Sequence, residues 1–406
     1  MKFYDFSPVD FIDVRSEFDI IKVSKLAYGI MGEKNIFIRF YIKDLEHREA
    51  NILKQEALSN GLELAISYKT YTMENKEKYT DAILSGDLYH LKKLLNKMEL
   101  QPFRLKELAF KIKEYIEFQY NNESNPLIKI GNKDFYWKKN CYIMGILNAT
   151  PDSFYANSRV DLSNILSKAK EMSDGGVDIF DVGGESTRPG SDPVPVEEEL
   201  ERVIPIIRLL KNNFDIPVSI DTTKAEVAEE AFKQGADILN DISACRFDPN
   251  MVKILKKYNK PICIMHIKGK PKDMQKNPSY INLIDEIYDY FEERINFLID
   301  NGIDRNNIII DPGIGFGKTK EHNYLLTKYL KAFKTFKLPI LYGGSRKSFI
   351  GMTLKREPEK RLPASLSVHL QAYYNGASFL RVHDVQEQKD AILMIHYINN
   401  QNRVLE

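Results

Sequence analysis

The chain has 406 residues, and its 58 Lys and Arg almost cancel its 57 Asp and Glu, leaving a net charge of +1. That balance gives no electrostatic reason to expect nucleic acid or an acidic membrane as partner, so any anion site must be local. The opening MKFYDFSPVDFIDV lacks the basic and apolar regions of a signal peptide, and no later run approaches the roughly 20 apolar residues of a membrane span, so a cytoplasmic protein is expected. Cys141, Cys245 and Cys263 show no Cys-x-x-Cys spacing and the seven histidines no metal-binding spacing, which points to buried thiols rather than disulfides or zinc.

After an irregular opening, NIFIRFYIKD alternates Ile36, Ile38, Phe40 and Ile42 against Phe37, Arg39, Tyr41 and Lys43, the pattern of a half-buried strand. A helical pattern through Leu45, Ile52, Leu53 and Ala57 stops at Gly61, and LELAISY follows as a second strand. Further helices fit Leu88 to Leu95 and the series Leu105, Leu108, Ala109, Ile112 and Ile116. Residues 1–120 thus read as a small α+β domain. The polar, proline-broken NNESNP, residues 121–126, suits a linker. PLIKIGNKDFYW, with a turn at Gly131 and Asn132, then reads as a hairpin able to cap the bottom of the domain that follows.

From Cys141 onward come about eight short apolar stretches, each followed by a helical pattern of roughly ten to twenty residues. They close on Asn148, Asp181, Asp221, Asn240 and Asp241, His266, Asp311, Ser345, and finally Arg381 and His383. Strand then helix, repeated about eight times, is the arithmetic of a (β/α)8 TIM barrel, here over residues 127–400. In that fold the C-terminal strand ends share one mouth, so these polar side chains converge.

Each candidate has its own chemistry. Asn148, in NATPDSF, offers a neutral oxygen to a hard cation or an amide to a phosphate. GGESTRPG, residues 183–190, combines two glycines, two hydroxyls and an arginine, a composition that brings backbone and cation close to an anion. Asp221, Asn240 and Asp311 end apolar strands, where a carboxylate needs partners: either the following helix start or a flat heterocycle with adjacent N–H donors. GIGFGKT, residues 313–319, has Pro312 where a P-loop needs glycine and Lys318 where the dinucleotide fingerprint needs its third, so it reads as a glycine-rich barrel loop presenting Phe316. Arg346, Lys347, Arg381 and His383 fall at the seventh and eighth strands, where barrels often hold phosphate, although Arg346 could equally pair with a loop carboxylate. His266 reads as a histidine that packs and hydrogen-bonds.

In this order MGILNATPDSF, GGESTRPG, SIDTTK, NDIS, MHIKGKPKDMQ, DPGIGFGKT, GSRKSFIG and RVHD resemble the dihydropteroate synthases, over about residues 127–400. The N-terminal part is similar to an extension on some bacterial members. The resemblance implies condensation of p-aminobenzoate with 6-hydroxymethyl-7,8-dihydropterin pyrophosphate in folate biosynthesis, a Mg2+ cofactor, a homodimer and sensitivity to sulfonamides. It further implies that Asp221, Asn240, Asp311 and Lys347 hold the pterin, and that Asn148 (with the metal), Arg381 and His383 hold the pyrophosphate. Phe154, Thr187, Arg188, Pro189, Phe316, Lys347 and Ser348 would frame the aminobenzoate, and Asp221, Lys347 and Arg381 would carry the catalysis.

Two positions depart from the family pattern. Tyr155, Ala156, Asn157 and Ser158 replace Ser-Asp-Gly-Gly after DSF, and Ala244 replaces the glycine that usually follows NDIS. A pterin-binding methyltransferase barrel shares the Asp and Asn contacts but has no use for the pyrophosphate residues. A catalytically silent folate- or pterin-binding regulatory protein is the rival from another class, and loss of Lys347, Asp311 or Arg381 would have favoured it.

Overall fold

The computed structural model describes residues 1–5, 18, 22–72, 78–120, 125–149 and 159–399. Contacts divide the chain into two compact units, Met1–Ser124 with Lys331–Lys337, and Asn125–Leu330 with Leu338–Asn399.

The first unit is α+β. Its antiparallel sheet runs β1 (Lys2–Asp5), β2 (Phe37–Glu46), β4 (Tyr79–Asp87), β3 (Glu63–Ile66) in spatial order. Ile38, Phe40 and Ile42 point inward along β2 as their alternation predicts, and they pack with Leu53, Leu84, Leu95, Leu108 and Ile112. Leu45, expected on the helix, instead belongs to β2, and the helix begins at His47. The reason is an irregularity in the ladder between Ile42 and Leu45, with Asp44 at φ 57°, which turns Leu45 back into the core. Strands β1 and β4 were not expected. In β4 the outward Ile83 blurs the two-residue period of Thr80, Ala82 and Leu84.

The second unit is the (β/α)8 barrel. Parallel strands β7 (Tyr142–Asn148), β8 (Ile179–Gly183), β9 (Val218–Asp221), β10 (Ile238–Asp241), β11 (Ile262–Met265), β12 (Ile308–Asp311), β13 (Leu341–Tyr342) and β14 (Phe379–Val382) pair in sequence order. The ring closes through a parallel bridge between Ile310 and Ile340. As expected, the hairpin β5 (Ile128–Ile130) and β6 (Lys133–Phe135) caps the bottom, where Ile128, Ile130 and Phe135 pack on Met144, Ile179, Ile238, Ile309 and Phe379 near the strand starts. With one end filled by this apolar layer, the polar strand ends are left at the other.

In the first unit, the buried Glu49 carboxylate accepts hydrogen bonds from the Glu46 amide at 2.8 Å and from Arg104 Nε at 3.0 Å and Nη2 at 2.6 Å. Removing the arginine strands a buried charge. Arg104→Ala is expected to destabilise this unit by roughly 3 kcal/mol, read as an earlier urea unfolding transition.

Candidate active site

Asp221, Asn240 and Asp311 stand at or next to the ends of β9, β10 and β12. Strand register sets Asn148 beside Gly183, Gly183 beside Asp221, and Asp221 beside Asn240, one row along the mouth. Seven predicted residues, Thr187, Asp221, Asn240, Asp311, Phe316, Lys347 and Arg381, line a single open cleft of about 340 Å3, counted together with the solvent space at its mouth. Ile242, Met265 and Ile314, which the sequence reading did not single out, give it apolar walls. A polar set facing apolar walls suits a flat heterocycle.

The other predicted residues do not line this cleft. Arg188, Pro189 and Ser348 are exposed, and Asn148 and His383 are half-buried. Phe154 and the unusual residues 155–158 lie outside the described residues. Arg346 has its plain reading: its guanidinium pairs with Asp384, with Nε 2.9 Å from Oδ2. So does His266, whose Nδ1 lies 2.9 Å from Lys318 Nζ and whose ring meets Tyr290 edge-on. The helix after β9 is not capped by the Asp221 side chain, because its N-cap is Lys224 and Ala225 N–H donates to Asp248.

The strongest polar contacts converge on Arg381, within β14. Nε donates to Asp181 Oδ2 at 2.6 Å and Nη2 to Asp221 Oδ2 at 2.7 Å, while Nη1 has no partner among the described residues. The sequence placed Asp181 at a strand end, but β8 runs on to Gly183 and leaves Asp181 inside the barrel, fully buried. Its signal was a carboxylate inside the apolar run IFDV, which needs a buried cation. Burial pushes the Asp221 carboxyl up, against the pull of Arg381 and with the push of Asp181. Burial opposes the charge on Arg381, but Asp181 and Asp221 more than restore it.

Asp311 Oδ1 accepts from the Gly313 amide at 2.7 Å, leaving its second oxygen for other donors. Burial pushes its carboxyl up to about 6, against that amide and against Lys347, Lys318 and Arg381. Lys347 Nζ stands 4.3 Å from the centre of the Phe316 ring, and burial together with Arg381 lowers it to about 8. His383 Nδ1 lies 3.0 Å from Ser345 Oγ, and burial, Arg381 and Arg346 lower it to about 3, so its ring is neutral near pH 7.

Local sequence explains the loops. A β-carbon at Gly313, φ 71°, would sit 2.0 Å from the His266 carbonyl oxygen, and one at Gly317, φ 63°, 2.4 Å from that of Lys268. Only glycine lets the sixth loop lie this close to the fifth. Ala244, φ 52°, and Cys245, φ 61°, occupy the left-handed region where glycine is usual. Asp241 holds them there, accepting from the amides of Ser243 and Cys245, each at 2.7 Å.

Among the described residues no group of three or more His, Cys, Asp or Glu is arranged to hold a metal. Asn148, at the end of β7, presents one neutral side-chain ligand at most. That fits a cation such as Mg2+, which keeps its waters and binds chiefly through substrate phosphates.

Residues 144–383 match the pterin-binding enzyme family. The chain is 46% identical over 273 residues to a dihydropteroate synthase of Clostridium beijerinckii, covering 67% of this chain and 99% of that one. It is 37% identical over 372 residues to a bifunctional dihydropteroate synthase/dihydropteroate reductase of Helicobacter pylori, covering 91% of this chain and 92% of that one. The crystal structure of the Yersinia pestis dihydropteroate synthase with a sulfonamide drug complex superposes with a TM-score of 0.64 at 37% identity, over 68% of this chain and all (100%) of that one. The chain belongs to the dihydropteroate synthase family of pterin-binding enzymes.

Proposed function

We propose that the chain condenses p-aminobenzoate with 6-hydroxymethyl-7,8-dihydropterin pyrophosphate, giving 7,8-dihydropteroate and pyrophosphate. The observation that carries this reading is the convergence of Asp221, Asn240, Asp311, Lys347 and Arg381 on one apolar-walled cleft. The free oxygen of Asp311 accepts from the pterin 2-amino group and N3–H, Asn240 and Asp221 take further ring donors, and Lys347 donates to the ring carbonyl. Arg381 turns Nη1 to the pyrophosphate, with His383 as a neutral hydrogen-bonding partner. The bond from the exocyclic carbon to the pyrophosphate oxygen breaks, its electron pair leaving with pyrophosphate, and the Asp221 carboxylate stabilises the cation left on the pterin. The aniline nitrogen then forms the C–N bond and gives its proton to solvent. Thr187, Arg188, Pro189, Phe316 and Ser348 frame the amine, so sulfonamides that imitate it compete there.

Asn148 would hold a Mg2+ ion with the pyrophosphate, and the ion, when bound, would stabilise the departing charge. The enzyme works in the cytoplasm, a compartment that suits its three free, buried cysteines. No helix among the described residues is long and apolar enough to cross a membrane. A homodimer is supported by Leu325, Met352, Leu393 and Met394, large apolar side chains exposed on helices of the barrel's outer layer.

The Helicobacter pylori relative supports a second reading. Its match takes in 91% of this chain, where the Clostridium beijerinckii match takes in 67%, so the longer likeness extends beyond the barrel. On that reading the full chain also reduces dihydropteroate with a hydride from a reduced nicotinamide or flavin. Incubation of the full chain with dihydropteroate and such donors should then consume both, and no consumption with any donor would remove the second activity while leaving the first.

Asp311→Ala should lose pterin binding by roughly 3 kcal/mol or more while the barrel stays folded. Near wild-type pterin affinity by calorimetry would take Asp311 out of the site. Asp311 is ionised above about pH 6 and Lys347 is charged below about pH 8, so pterin affinity of the free enzyme should be greatest between these limits and fall on both sides. Excess chelator should suppress pyrophosphate release, and Asn148→Ala should raise the Mg2+ requirement. Full turnover in chelator would contradict both the metal and this role for Asn148.

A further inference from the structure

Lys318 is only 3% exposed, and no step of the condensation uses it. It follows the last glycine of the loop between β12 and the helix Lys320–Lys328. Its Nζ donates to the Phe316 carbonyl at 3.0 Å and the His266 carbonyl at 3.3 Å, and lies 2.9 Å from His266 Nδ1. His266 is held well below its ordinary range by burial and by Lys318, so its Nδ1 accepts from the ammonium. One buried cation therefore ties the sixth loop to the residue that follows β11. Tyr280 Oη reinforces the same junction by donating to the Gly317 carbonyl at 2.8 Å.

An apolar side chain at this position would leave two buried carbonyls and a ring nitrogen without their donor. The loop so held is the one that presents the Phe316 ring to the cleft, under the Lys347 ammonium. We propose that Lys318 is a positioning residue of this site: it fixes the glycine-rich loop, and with it the Phe316 ring, and its charge acts through space on the Asp311 carboxylate. The proposal rests on the synthase reading above.

The charged and titratable groups acting on Lys318 are Asp311 from β12 and Lys347 ahead of the helix Ser348–Leu354, and Lys318 in turn acts on His266 and on His322 of the helix Lys320–Lys328. Burial lowers Lys318 to about 7, Asp311 pulls it back and Lys347 pushes it further down. Its field, with those of Lys347 and Arg381, holds Asp311 lower than burial alone would. Near pH 6, where Asp311 titrates, Lys318 is still charged. A neutral amine still donates two of the three hydrogen bonds, so much of the tie to the loop outlasts the charge, and the two effects separate by substitution.

Pterin binding followed by calorimetry from pH 5 to 8, with condensation kinetics, tests this. Lys318→Gln keeps a donor and drops the charge, Lys318→Met drops both, and Lys318→Arg keeps the charge. The Gln and Met variants should both move the acidic limb of pterin affinity upward by about half a pH unit or more, and Arg should leave it in place. Met should also raise KM for p-aminobenzoate about tenfold, well beyond its effect on kcat. A role in folding alone would lower thermal stability without moving the limb. An acidic limb in a folded Lys318→Gln that coincides with wild type overturns the proposal, as does an unchanged KM in folded Lys318→Met. A wild type that binds pterin but makes no dihydropteroate would sink the synthase reading and leave the test on the acidic limb standing.

Discussion

The mouth of the barrel is organised by one guanidinium held between two carboxylates. Arg381 spans from β14 to Asp181 on β8 and Asp221 on β9, and its two short hydrogen bonds leave one Nη group unused. Asp181 is fully buried and its Oδ1 has no partner among the described residues, so without Arg381 the barrel interior would hold an uncompensated charge. Three buried carboxylates, Asp181, Asp221 and Asp311, thus face the cations Arg381, Lys347 and Lys318 in one desolvated region. Burial pushes Asp221, Asp311, Lys347 and Lys318 toward neutrality, and the opposite charges oppose it. A ligand bringing its own N–H donors and its own anion would satisfy the groups this arrangement leaves open.

The loops are held differently at their stems and at their tips. Lys224, three residues beyond Asp221, pairs with Glu185 of the second loop and with Glu199 of the helix Val196–Asn213. Arg202 of that helix donates to the Gly184 carbonyl at 2.7 Å. The stem of GGESTRPG is therefore anchored to its own crossover helix, while Arg188 and Pro189 at the tip stay exposed. The sixth loop is more restrained, because its glycines lie against the fifth loop and Lys318 closes the junction. The sixth loop is thus a fixed wall, whereas the second is accessible at its tip.

Much of this was legible in the amino-acid sequence. Short apolar strands have a clear local signature, so the repeat from Cys141 onward and the polar residues at the ends of β7, β9, β10 and β12 could be read directly. The amphipathic helix Leu105–Tyr120 was legible for the same reason, since Leu105, Leu108, Ala109, Ile112 and Ile116 share one face. Elements whose period is broken locally were not. Strand β4 was hidden by Ile83, and the end of β2 by an irregularity that returns Leu45 to the core.

The sequence by itself determined the barrel, the family and the kinds of side chain gathered at its mouth, because strand period and motif order are local properties of the chain. Only the tertiary structure decided which of those side chains act together. It took Asp181 from a presumed strand end and made it the buried partner of Arg381, and it turned Arg346 away to Asp384. It also made the lysine beside a glycine-rich loop into the tie between two loops. These outcomes depend on pairings such as Arg381 with Asp181 and Lys318 with His266, residues far apart in the chain. Their energies come from desolvation, which exists only once the strands have closed around them.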